Sequence, residues 1–298
     1  MARKFLPKRL PIAQPMDAAE REYMRNLTLY QRAYVSLVSS GLNEIIHGLK
    51  SEAFEDLPEE MRQDSAIRRL DGKNNFESSL TSVERYDANF EKSIRALFAS
   101  VQNQLKELFP DKMLKRWAQM MVTHVNDVSK KNLSRVTAVA DLEIEPLLKD
   151  NELNPYFKNI VDENVGLIRS IPEEKMSSFK NALVSAISAD KPHNEIAKII
   201  EKNFDITRNK VTFIARDQVN KLNGKLNQYR QQKIGGSRYV WRSSHDRRVR
   251  RGHGLLDGKI CSWDNPPIVD KTTGRRAHPG QDFQCRCTAE MILEDVVD

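Results

Sequence analysis

From Asp17 to Lys233 the apolar residues recur at helical spacing, and no alternating run of β-branched and aromatic residues appears before residue 236. That pattern commits the first two-thirds of the chain to amphipathic helices, each with one stripe to bury. Leu27, Tyr30, Tyr34, Leu37 and Val38 set the first stripe, on a helix predicted from Met16 or Asp17 to about Lys50. Ile94, Leu97, Phe98, Val101, Leu105 and Leu108 set a second, which Pro110 breaks. Leu114, Trp117, Met121, Val125 and Val128 set a third, and the short break between the two predicts an αα-hairpin. Shorter helices are predicted at about 135–149, 155–169, 173–189 and 193–203, with Pro146, Pro155, Pro172 and Pro192 at their edges. Proline lacks the backbone donor and crowds the preceding turn, so it marks boundaries. His124 lies beside the third stripe and reads as a helix-surface or core-edge residue.

Two segments fall outside this regime. Pro7, Pro11 and Pro15 make residues 1–16 an extended arm, of the kind that orders on a partner. Residues 51–90 are weakly patterned, with a loop at Gly72–Asn75. A last helix is predicted from an N-cap at Thr207 to about Lys233. Val211, Ala215, Val219, Leu222, Leu226 and Tyr229 form its apolar side. Arg216, Asn220, Asn223, Asn227 and Arg230 form a polar stripe, either a solvated face or a contact to a neighbouring chain or to phosphates. Gly235-Gly236 ends the helix, and Ser237–Ser243, with Tyr239, Val240 and Trp241, reads as a strand. The expected architecture is mainly α. An elongated helical body with its arm spans 1–205, and a small α+β module spans 206–298.

Charge follows the same division. Residues 1–205 hold 30 Lys+Arg against 31 Asp+Glu, whereas 206–298 hold 18 against 10. Within 206–253 the balance is 13 basic to 2 acidic, a block that attracts polyanions or simply keeps a face solvated. Arg216, Arg230, Arg247, Arg248, Arg250 and Arg251 are the candidate contacts to nucleic acid or to an acidic partner. No stretch approaches the roughly 20 apolar residues of a membrane span. The N-terminus lacks the apolar core of a signal peptide, so synthesis and assembly are expected in the cytoplasm.

All three cysteines (Cys261, Cys285 and Cys287) and three of the six histidines lie in 245–287. Thiolate and neutral imidazole are the usual zinc ligands, and four close a tetrahedral site. Cys285 and Cys287 lie two apart, on one face of an extended chain. His253 and His278 are the expected partners, with Cys261 and His245 in reserve. A structural zinc would supply folding energy to a loop-rich segment with little core. Two alternatives stand: a buried thiol pair packing the last strand, and a disulfide from Cys261 to one of the pair, which a reducing cytoplasm disfavours.

Ile214-Ala215-Arg216 on a helix precede an aromatic strand ending in Trp241. Then come Asp246 and Arg250 ahead of His253, the Asp257-Gly258 turn, Pro267, His278-Pro279 and a closing Cys285-Arg286-Cys287. In order and spacing, about 206–290 resembles the Mu F-like head-morphogenesis family of tailed bacteriophages. The resemblance implies a minor head protein present in few copies near the portal vertex. It implies a role in procapsid assembly and in DNA packaging or ejection, with the portal protein, a major capsid or scaffolding protein and phage genomic DNA as partners. It also implies residence in the virion. Some relatives carry toxin or ADP-ribosyltransferase domains after this module. Only eleven residues follow Cys287 here, so none is expected. The expectation is a structural protein without catalysis. The competing expectation is a metal-dependent nuclease-like or DNA-binding protein, with His253 and Asp246 beside a metal-bound water.

Overall fold

The computed structural model describes residues 16–55, 88–139, 144, 150–189, 191 and 193–292. The proline-spaced arm up to residue 15, the loop at Gly72–Asn75, and Pro146 and Pro192 lie outside the described residues. Helices dominate: α1 (Asp17–Glu55), α2 (Ala88–Leu108), α3 (Asp111–Ala138), α4 (Asn154–Ser188) and α5 (His193–Lys233), with a 3-10 turn at Asp150–Leu153 ahead of α4. A small antiparallel region follows, and the chain is mainly α with a small C-terminal α+β region.

The stripes are buried where periodicity places them: Tyr30, Tyr34 and Val38; Ile94, Phe98, Val101 and Leu105; Leu114, Trp117, Met121 and Val125. Leu37, Leu97 and Val128 are half-buried, and Leu108 departs furthest. It is exposed, and Phe109 takes the buried place at the helix end. Three predicted boundaries are corrected. α3 runs on to Ala138, so residues 135–138 end that helix instead of beginning another. Pro172 sits inside α4, where the buried series Ile168, Ile171, Met176 and Phe179 continues across it. Burying those side chains outweighs the roughly 3 kcal/mol that an interior proline costs. Thr207 lies in the middle of α5 instead of capping a helix. Its hydroxyl donates to the Phe204 carbonyl at 2.8 Å and accepts from Gln31 Nε2 at 3.2 Å, so it is satisfied without a helix end.

Packing groups the chain into two compact units. One comprises Thr28–Asp111 and Ile168–Val211. Its core holds the edge-to-face ring pairs Phe98–Phe179 and Tyr30–Phe109, with centroids 5.6 and 5.2 Å apart. Tyr34 donates to Asn203 Oδ1 at 3.0 Å within it.

The other unit comprises Met1–Leu27, Lys112–Leu167 and Thr212–Asp298, and it carries the site. Tyr23 donates to Asn164 Oδ1 at 2.8 Å, and Asn164 Nδ2 donates to Gln218 Oε1 at 3.1 Å, so these buried polar groups satisfy one another. The final segment of α5 is covered on several sides, burying Ile214, Ala215, Val219, Leu222 and Leu226 but also Asp217, Gln218, Arg230 and Gln231. β1 (Arg238–Arg242) is the middle strand of a three-stranded sheet, antiparallel to β2 (Ile260–Ser262) and β5 (Thr288–Met291). Tyr239 lies opposite Cys261 and Trp241 opposite Ala289. Between β1 and β2 a single helical turn, α6 (Arg251–Gly254), carries His253. The short strands β3 (Ile268–Asp270) and β4 (Arg275–Arg276) pair separately. Gly252 lets α6 meet β3, because a Cβ there would stand 2.0 Å from the Val269 carbonyl oxygen. The module's own core is small: Tyr239, Trp241, Trp263, Val269, Cys285, Cys287 and Ala289.

Candidate metal centre

The segment His278–Cys287 reaches the sheet by way of α5, which fastens it at several points. Asp217 accepts the Gln284 backbone N–H at 2.9 Å, Gln284 Nε2 donates to the Phe213 carbonyl at 2.7 Å, and Gln281 donates to Gln228 at 2.8 Å. Gly224 leaves room for the backbone of Pro279 and Gly280, whose atoms would lie 2.7 and 3.2 Å from a Cβ. Held this way, Gln284 adopts a left-handed φ of 52°. That conformation costs a non-glycine residue about 1 kcal/mol, and the two Gln284 hydrogen bonds offset it. Cys285 and Cys287 follow in extended chain just before β5. Both thiols are buried, while Arg286 between them pairs with Asp246.

His253 meets them from α6. Its Nδ1 stands 3.4 Å from Cys285 Sγ and 3.6 Å from Cys287 Sγ, and its Nε2 lies 3.0 Å from Asp282 Oδ2. An ionised carboxylate only accepts, so Nε2 carries the proton and Nδ1 is the atom turned on the sulfurs. The three ligand atoms lie within 4.8 Å of one another, the one such group among the described residues, and can hold a metal ion. The spacing is what an ion would impose. Zn–N near 2.05 Å and Zn–S near 2.3 Å at a tetrahedral angle put N and S about 3.6 Å apart. One imidazole nitrogen has a single proton or lone pair, so it cannot hydrogen-bond well to two sulfurs at once. A central ion engages all three.

The surroundings suit thiolates. The Gly280 N–H points at Cys285 Sγ at 3.4 Å, and the Ser244 backbone reaches Cys287. The Trp241 indole N–H is buried without an oxygen or nitrogen acceptor and faces the Cys287 sulfur. The two thiols are hydrogen-bonded to each other. The hydrogen bond from Cys287 pulls the Cys285 thiol down against its burial, with His253 assisting. Cys287 is pushed up by the same bond and by burial. Metal binding would displace the proton held there.

Asp282 was not legible in the sequence, where it is one carboxylate in Pro279-Gly280-Gln281-Asp282. In the fold it organises the centre. It is 1% exposed, holds His253, and pairs with Arg250 Nη2 at 2.9 Å and Arg275 Nε at 3.1 Å. A carboxylate behind a ligating histidine fixes its tautomer and raises its basicity.

His278 does not join the cluster. Its Nδ1 contacts the Tyr239 hydroxyl at 2.9 Å, and its ring packs on Trp263 with centroids 5.0 Å apart. Burial pushes its pKa down to about 4, which makes it a neutral core residue. The reserves stay apart as well. Cys261 lies across from Tyr239 in the sheet as a free thiol, and exposed His245 stands near Asp257. No disulfide joins Cys261 to the pair.

The basic residues divide by burial. Arg230, a proposed outer contact, is instead buried on Asn126. Arg216 is half-buried and bonds Glu20 at 3.2 Å. Both arginines of that stripe are therefore engaged within the chain, while Asn220, Asn223 and Asn227 are half-buried. Arg247, Arg248, Arg250 and Arg251 are exposed.

A long helix ending in a small antiparallel module, closed by one histidine and a Cys-X-Cys pair, defines a helical protein with a compact cysteine–histidine head. Residues 177–290 match the model of the family described as Phage Mu protein F like protein. The chain is also 30% identical over 186 residues to an uncharacterized protein of Haemophilus influenzae (strain ATCC 51907 / DSM 11121 / KW20 / Rd). That likeness covers 58% of this chain and 40% of the relative's length, so this chain spans less than half of it. No solved structure matches. Among the described residues no helix is long and apolar enough to cross a membrane.

Proposed function

We propose that this chain is a head-morphogenesis protein of a tailed bacteriophage, a minor head component that acts by assembly. The observation that carries this reading is the Mu F-like match over 177–290. In its finer form the reading places the protein inside the head near the portal vertex. It would contact the portal protein and a major capsid or scaffolding protein during procapsid assembly, and genomic DNA during packaging or ejection. The exposed Arg247, Arg248, Arg250 and Arg251 support the contact with DNA, whose phosphates reward clustered guanidinium groups irrespective of sequence. Zinc on His253, Cys285 and Cys287 would tie α6 to the chain entering β5. It would give a module with a small core the folding energy it otherwise lacks.

The site supports this role better than a hydrolytic one. The buried carboxylate behind its histidine, Asp282, is occupied by His253 and two arginines and is not free to act as a base or to hold magnesium. The test is mass spectrometry of procapsids and virions from the phage that encodes the chain, with cryo-electron microscopy of the portal vertex. The protein should be found in few copies in procapsids. Its absence from both particles would sink the assembly role. Metal-dependent cutting of phage DNA by the purified protein, lost in His253→Ala, would replace it with the nuclease-like reading.

A further inference from the structure

The three ligands leave a tetrahedral ion one ligand short, and His278, the residue that would have closed the set, is committed to Tyr239 and Trp263. The centre also does not face solid protein. His253, Cys285 and Cys287 line a cavity of about 130 Å³ together with Arg216, Arg248, Arg250 and Arg286. At about 30 Å³ per water of liquid volume, that is room for roughly four waters or one tetrahedral oxyanion. Its electrostatics are one-sided. Around the centre the five guanidinium groups of Arg216, Arg248, Arg250, Arg275 and Arg286 face the four carboxylates of Glu20, Asp246, Asp270 and Asp282. A divalent ion on two thiolates is neutral, so a net positive charge remains over the open position.

We propose that the metal held by His253, Cys285 and Cys287 takes its fourth ligand from outside the chain, a phosphate oxygen bound in the arginine-lined cavity. This inference rests on the metal reading given above. The metal supplies one bond to oxygen, and Arg248, Arg250 and Arg286 receive the remaining oxygens. Guanidinium groups suit phosphate because their fixed fork offers parallel N–H donors to two oxygens at once. A carboxylate offers two oxygens in one plane, whereas a phosphate's tetrahedral oxygens leave up to three for the arginines once one is bound to the ion. Asp282 contributes by position: it holds Arg250 at the cavity and His253 at the ion through the same carboxylate. The phosphate could belong to a monoester, free or at a DNA end, or to a DNA backbone, and the experiment distinguishes these two.

The test uses the full chain, purified without a histidine tag and loaded with Co²⁺ in place of zinc. A sulfur-to-cobalt charge-transfer band reports the metal, and the visible ligand-field bands report the fourth ligand. The expected result is one Co²⁺ per chain, with ligand-field bands that move saturably on addition of inorganic phosphate while the charge-transfer band stays. Broadening of the phosphate ³¹P resonance should accompany the change. Arg248→Gln should weaken the phosphate effect about tenfold, the loss of one charge-assisted contact, with Co²⁺ uptake unchanged. A short duplex carrying a 5′-phosphate, the same duplex without it, and acetate complete the set. A response to inorganic phosphate and the phosphorylated end alone assigns a phosphate monoester, and a response to both duplexes assigns the backbone. An equal response to acetate overturns phosphate recognition. Unmoved ligand-field bands with intact charge transfer overturn the open position and leave the metal reading standing. Absence of the charge-transfer band removes both.

Discussion

Asp282→Asn tests the organisation of the centre most directly, because the shape is kept and only the charge and one acceptor change. The carboxylate is 1% exposed and accepts from His253, Arg250, Arg275 and the Phe283 backbone N–H. Asparagine keeps one oxygen but turns an N–H toward one of these donors. Arg250 is 40% exposed and regains water, and Arg275 keeps its pairing with Asp270, so their share is small. His253 is 3% exposed and cannot, so its Nε2–H loses its acceptor in the core. The expected loss is about 3 kcal/mol, between the cost of an unsatisfied buried donor and that of breaking a buried ion pair. With a urea slope near 2 kcal/mol/M, the midpoint should fall by about 1.5 M. The assay is urea unfolding by tryptophan fluorescence in a Trp117→Phe background, so that the signal comes from Trp241 and Trp263 in the module core. Metal affinity should drop about 10- to 100-fold, the usual effect of removing such a supporting carboxylate. Asp264→Asn, at an exposed position, is the control. A loss within about 0.5 kcal/mol of that control would refute the claim that Asp282 organises the site.

Gly224→Ala should lower stability by about 2 kcal/mol although alanine is the better helix former, because its Cβ would sit 2.7 Å from the Pro279 oxygen. A rise in melting temperature would show that the segment on α5 gives way freely. His278 should make the fold acid-sensitive. Its pKa is about 4 in the fold, from burial, and near 6.5 when unfolded, so the unfolded chain binds the extra proton between those values. Stability is therefore full above pH 6.5 and falls by up to about 3 kcal/mol by pH 4. Urea unfolding at pH 7.5 and 5 should show this slope reduced in His278→Gln, and an unchanged slope would contradict it. Arg247→Gln with Arg251→Gln should reduce the log–log salt slope of DNA binding by about 2, whereas Arg230→Gln, at a buried position, should lower stability and leave the slope alone. Equal slopes for all three proteins in a titration by fluorescence anisotropy would remove the exposed arginines from the DNA contact.

The sequence by itself determined the helices, because periodicity is a local property. Tyr30, Tyr34 and Val38, or Leu114, Trp117, Met121 and Val125, are spaced to lie on one side of a helix wherever that helix docks, and they are buried. It also determined the chemistry of the Cys285–Cys287 pair, since two residues of extended chain put both thiols on one face. Where helices end was less legible: Pro172 and Thr207 carry boundary signals, yet long-range burial and a hydrogen bond from Gln31 carry the helices through both. Which histidine meets the sulfurs could be decided only by tertiary structure. His253 and His278 lie 32 and 7 residues from Cys285, and the distant one arrives because α6 packs on β3 while the near one turns into the tyrosine and tryptophan core. The same holds for Arg230, on a polar stripe whose periodicity defines a face without saying what covers it. It holds too for Asp282, an unremarked aspartate until the folded chain surrounds it with an imidazole and two guanidinium groups. Spacing fixes directions along one element, whereas partners across 30 or 100 residues are fixed by packing, which no local pattern encodes.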